Sequence, residues 1–133
     1  MNGPDREDRN ARVDDPFCEL LGVTFADVGD GTATARMPVT PDHLNVVGVL
    51  HGGATFALAD SAAGTAASTR LGDDSGVAIE ANVSFLATVE VGETVTATAE
   101  VTHESDRTLE MTVTVETETG ERVASYRARG YKF

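Results

Sequence analysis

The sequence predicts an α+β fold in which one antiparallel sheet packs against one long helix. A single Ala-rich segment, from about Gly52 to Arg70, is long enough for about five helical turns. Runs of alternating β-branched residues fill most of the chain on both sides of that segment. Strands joined by short turns, with a single long helix among them, are typical of a layered α+β arrangement.

Length and composition fit one domain. The chain has 133 residues, of which 41% are hydrophobic, and it contains no Trp, so we expect one mainly aliphatic core. Residues 1–14 are polar and charged, which predicts a flexible acidic N-terminal tail and no secretory signal. The folded domain is therefore expected to span residues 15–133, and none of its segments is apolar enough over a sufficient length to cross a membrane.

The elements before the long helix are short. In "DPFCELLGV", Asp15 suits the N-cap, Pro16 the first helical position and Gly22 the C-terminal end, which predicts a brief helix. A β-hairpin that turns at Gly29-Asp30-Gly31 is predicted for the run "VTFADVGDGTATARMPV". A loop with at most a short turn is predicted for "TPDHLNVVGVL".

The segment after the long helix predicts four strands. The helix is expected to end at "LGDDSG", and four alternating runs follow: "VAIEANVSFLATV", "ETVTATAEVTHE", "TLEMTVTVETET" and "RVASYRARGYKF". Gly92-Glu93 and Gly120-Glu121 stand at two of the turns. Three long strands with one short edge strand would fit the same pattern.

The charge balance narrows the range of partners. The chain carries 22 Asp and Glu against 10 Lys and Arg, a formal net charge of -12, and its one lysine is Lys132. Such an excess repels nucleic acid and anionic membranes, so neither is expected as a partner. The composition is typical of a halophilic proteome, where salt screens self-repulsion, and an ordinary acidic protein is the alternative.

Cysteine and histidine usage argues against disulfides and metals. Cys18 is the only cysteine, which excludes an internal disulfide, fits a cytoplasmic protein and predicts a buried structural thiol. His43, His51 and His103 show no metal-ligand spacing, so we expect no metal and no other cofactor.

Asp60 is the first candidate for a functional residue. It stands in the most apolar part of the predicted helix, and almost no other charge occurs between His51 and Arg70. A helix that is apolar all round is normally covered by protein, and burying an unpaired carboxylate costs several kcal/mol. A functional carboxylate explains that cost, whereas the alternative is a solvent-facing residue of an amphipathic helix.

The triplet His51-Gly52-Gly53 is the second candidate. Paired glycines allow close backbone approach at a helix start, where the first N–H groups have no intrahelical acceptor. These groups lie at the positive end of the helix dipole and suit a phosphate or the oxyanion of an acyl-transfer intermediate. A tight turn before the helix is the alternative.

The spacing of the two candidates predicts a shared site. Gly52 and Asp60 are eight residues apart, which is roughly 12 Å along a helix. Both cannot touch one carbonyl from the same helix, so their cooperation requires a second, antiparallel copy of the chain. A symmetric dimer would then carry two equivalent composite sites.

These residues resemble those of the hotdog-fold acyl-CoA thioesterases of the phenylacetyl-CoA (PaaI-like) group. The pattern Asn-x-x-Gly-x-x-His-Gly-Gly begins at Asn45, Leu-Ala-Asp follows at 58–60, and Asn-x-x-Phe-Leu begins at Asn82. The likeness covers nearly the whole chain after the tail, including the turn at Gly92. It implies a hotdog fold, in which a curved antiparallel β-sheet wraps around one long central helix, and a dimer whose sheets join edge to edge. Tetramers are common in this family.

The resemblance also implies roles for individual residues. Asp60 would activate water as a general base or attack the thioester carbonyl itself. The Gly52 N–H would polarise the thioester oxygen, while Asn45 and His51 would position the thioester or the water. Asp60 would come from one subunit and the other three residues from its partner. The expected substrate contacts are Gly53, Phe56, Ser61, Asn82, Phe85 and Arg107, with Leu58 and Leu86 as further generic tunnel residues.

Two positions depart from the family pattern. Many relatives have Ser or Thr near the start of the strand after the helix, where this chain has Ala78, so a hydroxyl would have to come from elsewhere, such as Ser61. Relatives also often have Gly before the basic residue of a strand turn that meets the CoA phosphates, and here Asp106 precedes Arg107. Arg107 is either a phosphate contact or an ordinary surface residue. Weaker candidates are Arg70, Arg127 and Arg129.

The resemblance therefore implies hydrolysis of a small aryl- or medium-chain acyl-CoA to free acid and CoA. A hotdog hydratase or dehydratase and a non-catalytic acyl-CoA-binding module are the alternatives, because the fold alone does not select a reaction. A binding module has no need for a base, which favours hydrolysis.

Overall fold

The computed structural model describes residues 15–133, so the flexible tail predicted for residues 1–14 lies outside the described part. Helix α1 spans Pro16–Leu21, and helix α2 spans Gly52–Ser68. The strands are β1 (Thr24–Gly29), β2 (Thr32–Pro38), β3 (Gly76–Phe85), β4 (Thr94–Glu104), β5 (Thr108–Thr117) and β6 (Arg122–Lys132). The predicted α+β class, the hairpin and the four strands after the helix are confirmed, and α2 ends slightly before the expected Arg70.

All six strands form one antiparallel sheet in the order β1-β2-β4-β5-β6-β3. Among residues 15–133, strand β3 therefore lies at an edge of the sheet, with β6 as its only neighbour. Helix α2 crosses one face of the sheet and contacts mainly β2, β4 and β5. Within the described residues, no helix combines the length and the hydropathy that a bilayer-spanning segment requires.

Alternation along the strands separates the core from the outer face of the sheet. In β5, the side chains of Leu109, Met111, Val113 and Val115 are buried, and the Thr and Glu residues between them are half-buried on the other face. Helix α2 presents mostly alanines to this core, together with the fully buried Leu58. The small side chains allow the helix to lie close to the sheet, and each large buried residue contributes about 1.5–3 kcal/mol.

The caps of α1 are those that the sequence predicts. The Asp15 carboxylate accepts a hydrogen bond from the Cys18 N–H at 3.0 Å. Gly22 ends the helix with a φ of 77°, a left-handed conformation that favours glycine. Cys18 is buried, as predicted.

One edge of the domain exposes apolar side chains. On β3, the exposed fractions of Val77, Ile79 and Phe85 are 52%, 57% and 55%, and Val46 and Val47 in the loop before α2 are also exposed. An unpaired strand edge that is also apolar favours association in water. The expectation that protein covers α2 on every side is therefore not met by a single chain.

Candidate active site

Asp60 lies in the middle of α2, at the border of the side that the sheet leaves uncovered. The residue is exposed, as are Gly53 and Gly64 on the same side of the helix. The expectation of a buried carboxylate, based on its apolar sequence neighbours, is thus wrong for the single chain, because those neighbours face the sheet. Oδ1 of Asp60 accepts a hydrogen bond from the Tyr126 hydroxyl of β6 at 2.7 Å.

Tyr126 reaches Asp60 from the inner face of the sheet. Its side chain is only 2% exposed, and its ring packs edge-on against Phe56 with the ring centroids 5.4 Å apart. Burial raises the pKa of the Tyr126 phenol well above its ordinary value, and the hydrogen bond to Asp60 and the charge of that carboxylate raise it further. The phenol therefore stays protonated and acts as the donor to the carboxylate.

A cavity opens beside the Asp60 carboxylate. Its volume is about 180 Å³, and it lies between the C-terminal half of α2 and the ends of β3, β5 and β6. The lining is mostly apolar and small, including Gly64, Ala67, Ala78 and Gly130. Ala78, one of the two positions that depart from the expected family pattern, thus lines the same cavity as Asp60.

The N-terminus of α2 has one backbone donor without an acceptor. The Gly53 N–H donates to Nδ1 of His51 at 2.7 Å, so His51 is the N-cap of the helix. The N–H groups of Ala54 and Thr55 donate to the His51 carbonyl. Within residues 15–133, only the Gly52 N–H of this first turn has no recorded acceptor. The ring of Phe85 covers this glycine, and a Cβ there would lie 3.0 Å from its Cζ.

The loop before α2 is held by its own side chains. Oδ1 of Asn45 accepts from the N–H groups of Val47 and Val49 at 3.0 and 3.2 Å. Buried His43 accepts the Thr40 N–H at Nδ1 and donates from Nε2 to the Leu21 carbonyl. Asn45 therefore stabilises the loop, and His51 caps the helix start. The polar side-chain atoms that these two residues can still offer a substrate are the amide nitrogen of Asn45 and Nε2 of His51.

The two halves of the predicted site do not meet within one chain. Gly52 and Asp60 belong to one continuous helix, and their eight-residue separation corresponds to roughly 12 Å. None of Asn45, His51 and Gly52 lines the cavity at Asp60.

The Asp60 cavity is lined by none of the six predicted substrate contacts, which are Gly53, Phe56, Ser61, Asn82, Phe85 and Arg107. Two of them, Ser61 and Asn82, have other surroundings. The Ser61 hydroxyl accepts a hydrogen bond from the Cys18 thiol at 3.2 Å, so it packs α2 against α1. Asn82 lies on the outer face of the sheet beside Arg127, because a bulge between Ala78 and Glu80 shifts the register of β3. Within one chain, the sheet therefore separates Asn82 from Asp60.

The arginines differ in their freedom to contact phosphate. Arg107 is exposed in the β4–β5 turn, and its nearest recorded partner is the adjacent Asp106 at 4.0 Å. Arg70 is engaged by Asp30 and Glu104, and Arg129 pairs with Glu110. Arg107 is therefore a better candidate than Arg70 or Arg129. Arg127 is exposed on the outer face of the sheet, beside Asn82.

Sequence reasoning missed Tyr126. The alternation of β6 places this tyrosine on the inner face, and a buried tyrosine hydroxyl usually has a hydrogen-bond partner. That signal indicates a polar neighbour but does not identify it. Among residues 15–133, no three His, Cys, Asp or Glu side chains come together as a metal site would require.

The sequence is similar to known thioesterases. The pattern of the Thioesterase superfamily matches residues 47–124. Over 118 residues the chain is 30% identical to acyl-coenzyme A thioesterase PaaI of Escherichia coli K12, an alignment that covers 89% of this chain and 83% of the relative. Over 103 residues it is 36% identical to 1,4-dihydroxy-2-naphthoyl-CoA hydrolase of Listeria monocytogenes, covering 75% and 83% respectively.

The fold is similar to that of a solved relative as well. The structure of the E. coli PaaI protein from the phenylacetic acid degradation operon matches with a TM-score of 0.88 at 29% identity. The match covers 94% of this chain and 91% of that one. It confirms the hotdog fold that the sequence motifs predict.

Proposed function

Since the chain belongs to the thioesterase superfamily, as an acyl-CoA thioesterase of the PaaI-like hotdog group, we propose that it hydrolyses a small aryl- or medium-chain acyl-CoA at a site completed by two subunits. The position of Asp60 carries the proposal. Its carboxylate is exposed, is held by a buried hydroxyl and borders an apolar cavity. A carboxylate in such a setting suits attack on an acyl group bound in that cavity.

The reaction can use Asp60 in two ways. As a general base, Asp60 takes a proton from water while the water oxygen attacks the thioester carbonyl carbon. As a nucleophile, Asp60 attacks that carbon itself, CoA thiolate leaves, and water then hydrolyses the resulting anhydride. In both routes the partner subunit's Gly52 donates its N–H to the oxyanion, and the C–S bond breaks to release CoA and the free acid.

A dimer joined through β3 accounts for a shared site. The free edge of β3 carries exposed Val77, Ile79 and Phe85, and pairing two such edges would continue the sheet and cover these side chains. Antiparallel pairing would also set the two α2 helices side by side in opposite directions. That arrangement is the one in which Asp60 of one subunit can face the partner subunit's Gly52. A tetramer would contain two such dimers.

The size of the cavity supports a compact acyl group. An apolar protein cavity of about 150 Å³ accommodates benzene, so the volume of about 180 Å³ beside Asp60 suits a single aromatic ring with a short linker. A medium-length chain would have to extend through the open side. Exposed Arg107, in the turn that follows β4, is the proposed contact for the CoA phosphates.

A panel of acyl-CoA thioesters tests this function. We expect the purified protein to release free thiol, with the highest kcat/KM for aryl-acetyl or other single-ring thioesters. Asp60→Asn should abolish turnover while the fold and the oligomeric state are retained. Substantial residual activity in Asp60→Asn would remove Asp60 from the mechanism. A change in enoyl absorbance without thiol release would indicate a hydratase, and binding without turnover would indicate a binding module.

A further inference from the structure

Helix α2 holds Tyr126 at two points that are one turn apart. Phe56 contacts the Tyr126 ring edge-on, and Asp60, four residues later, accepts a hydrogen bond from the Tyr126 hydroxyl at 2.7 Å. The side chain is almost fully buried, and it arises from the rigid inner face of β6. The hydroxyl is therefore fixed relative to the helix and cannot follow the carboxylate if that side chain rotates.

No other hydroxyl is recorded as a donor to Asp60 within residues 15–133. Position 78 on the cavity wall is an alanine, and the recorded partner of the Ser61 hydroxyl is the Cys18 thiol, on the side of α2 that packs against α1. In the part of the chain from 15 to 133, Tyr126 is the one recorded hydrogen-bond donor to the Asp60 side chain. An exposed aspartate without this bond would move among several rotamers.

We propose that Tyr126 is a positioning residue for the catalytic carboxylate: its hydroxyl fixes Oδ1 of Asp60 and leaves Oδ2 directed at the thioester or the attacking water. This role rests on the proposed function of Asp60. The phenol is the donor in this hydrogen bond, since an ionised carboxylate has no proton to donate. Tyr126 therefore acts through Asp60 and does not itself need to touch the substrate.

Two effects of this hydrogen bond oppose each other. A donor to a carboxylate stabilises its charge and weakens it as a base or nucleophile. Fixing its orientation favours the reaction, because correct alignment of reacting groups is among the largest contributions to rate enhancement. Orientation dominates here, since the free side chain would otherwise point into solvent for much of the time.

The kinetic test is Tyr126→Phe, which removes one oxygen atom and keeps the ring that packs on Phe56. We expect kcat to fall roughly 10- to 100-fold, the order of loss for a reacting group that is no longer held in line, while KM changes less than about twofold. The comparison variant is Tyr131→Phe, the same change in the other tyrosine of the chain. Tyr131 also lines the cavity, but the one recorded donor to Asp60 within residues 15–133 is Tyr126, so removing the Tyr131 hydroxyl should lower kcat by much less than removing that of Tyr126.

A second measurement is independent of turnover. In a Tyr131→Phe background, Tyr126 is the only tyrosine, and its ionisation can be followed by phenolate absorbance. Because the Asp60 carboxylate contributes to the raised pKa of Tyr126, adding Asp60→Asn should move this ionisation to lower pH. Circular dichroism at each pH identifies the range in which the protein is folded. An ionisation of the folded protein that is unchanged in the Asp60→Asn variant would overturn the inference.

The outcomes separate the two proposals. A wild-type protein that releases no thiol from any acyl-CoA overturns the proposed function, whatever the titration shows. An active wild type whose Tyr126→Phe variant keeps kcat within about twofold, or raises it, overturns the positioning role alone. A fall in kcat that parallels a loss of folded protein, measured by circular dichroism, would assign Tyr126 a structural role instead.

Discussion

Mixing two inactive variants tests whether the site is shared between subunits. Asp60→Asn removes the proposed base. His51→Ala removes the N-cap whose Nδ1 accepts the Gly53 N–H at 2.7 Å, at the other end of the site. Loss of an N-cap costs about 1 kcal/mol, which is small beside a typical folding stability of about 5–15 kcal/mol, so both variants should fold.

The expected rescue follows from the geometry of α2. Because Gly52 and Asp60 are roughly 12 Å apart on one helix, the proposed dimer would combine in each site Asp60 of one chain with the N-terminal helix end of the other. A hybrid dimer then contains one site with both changes and one with neither. Random assortment of equal amounts makes about half of the dimers hybrid, so about a quarter of the wild-type activity should return.

The assay is thiol release after the two variants are unfolded together and refolded. Hybrids carrying two different affinity tags can be purified, and these should have about half of the wild-type activity. The matched control mixes Asp60→Asn with the double variant Asp60→Asn/His51→Ala, because no site in that hybrid is intact. Purified hybrids with only background activity would refute a site shared between subunits.

Two further predictions concern charge. The hydrogen bond from Arg70, and to a smaller extent the one from Lys132, lowers the pKa of Glu104 below its ordinary value of 4.5. The stability that these bonds contribute is fully present above pH 4.5, and it is lost as the pH falls through the lower pKa of the folded state. The difference in Tm between wild type and Glu104→Gln should therefore shrink below about pH 4.5, whereas Glu118→Gln, an exposed control, should show little difference at any pH. Activity and Tm should also rise with KCl, since salt screens the net charge of -12; a maximum in dilute buffer would contradict the halophilic interpretation.

Local patterns were sufficient wherever a short stretch of sequence decides the structure. Asp15 and Gly22 cap α1 as predicted because capping involves residues only a few positions apart. The alternation in β5 predicts which side chains are buried, because a strand has two faces and one of them meets the core. The long helix was evident from its length and composition.

In β3, a single bulge makes alternation an unreliable guide to which face a side chain lies on. Ala78 and Asn82 are an even number of residues apart, so regular alternation would place both on one face. The bulge between Ala78 and Glu80 reverses the alternation, and Asn82 faces away from the cavity that Ala78 lines. Bulges depend on how a strand fits its neighbour, which one strand's sequence does not reveal.

The sequence by itself determined the fold class, the two unusual features of α2 and their separation, because helical spacing converts residue numbers into distances. It therefore also carried the argument for a dimer, which remains a proposal. Only the tertiary structure decided the partner of Asp60: Tyr126 is 66 residues away and meets it because β6 and α2 pack together. The tertiary structure likewise decided that Ser61 accepts a hydrogen bond from Cys18 and that His51 caps its own helix. Contacts between distant segments depend on packing in three dimensions, and no local pattern encodes them.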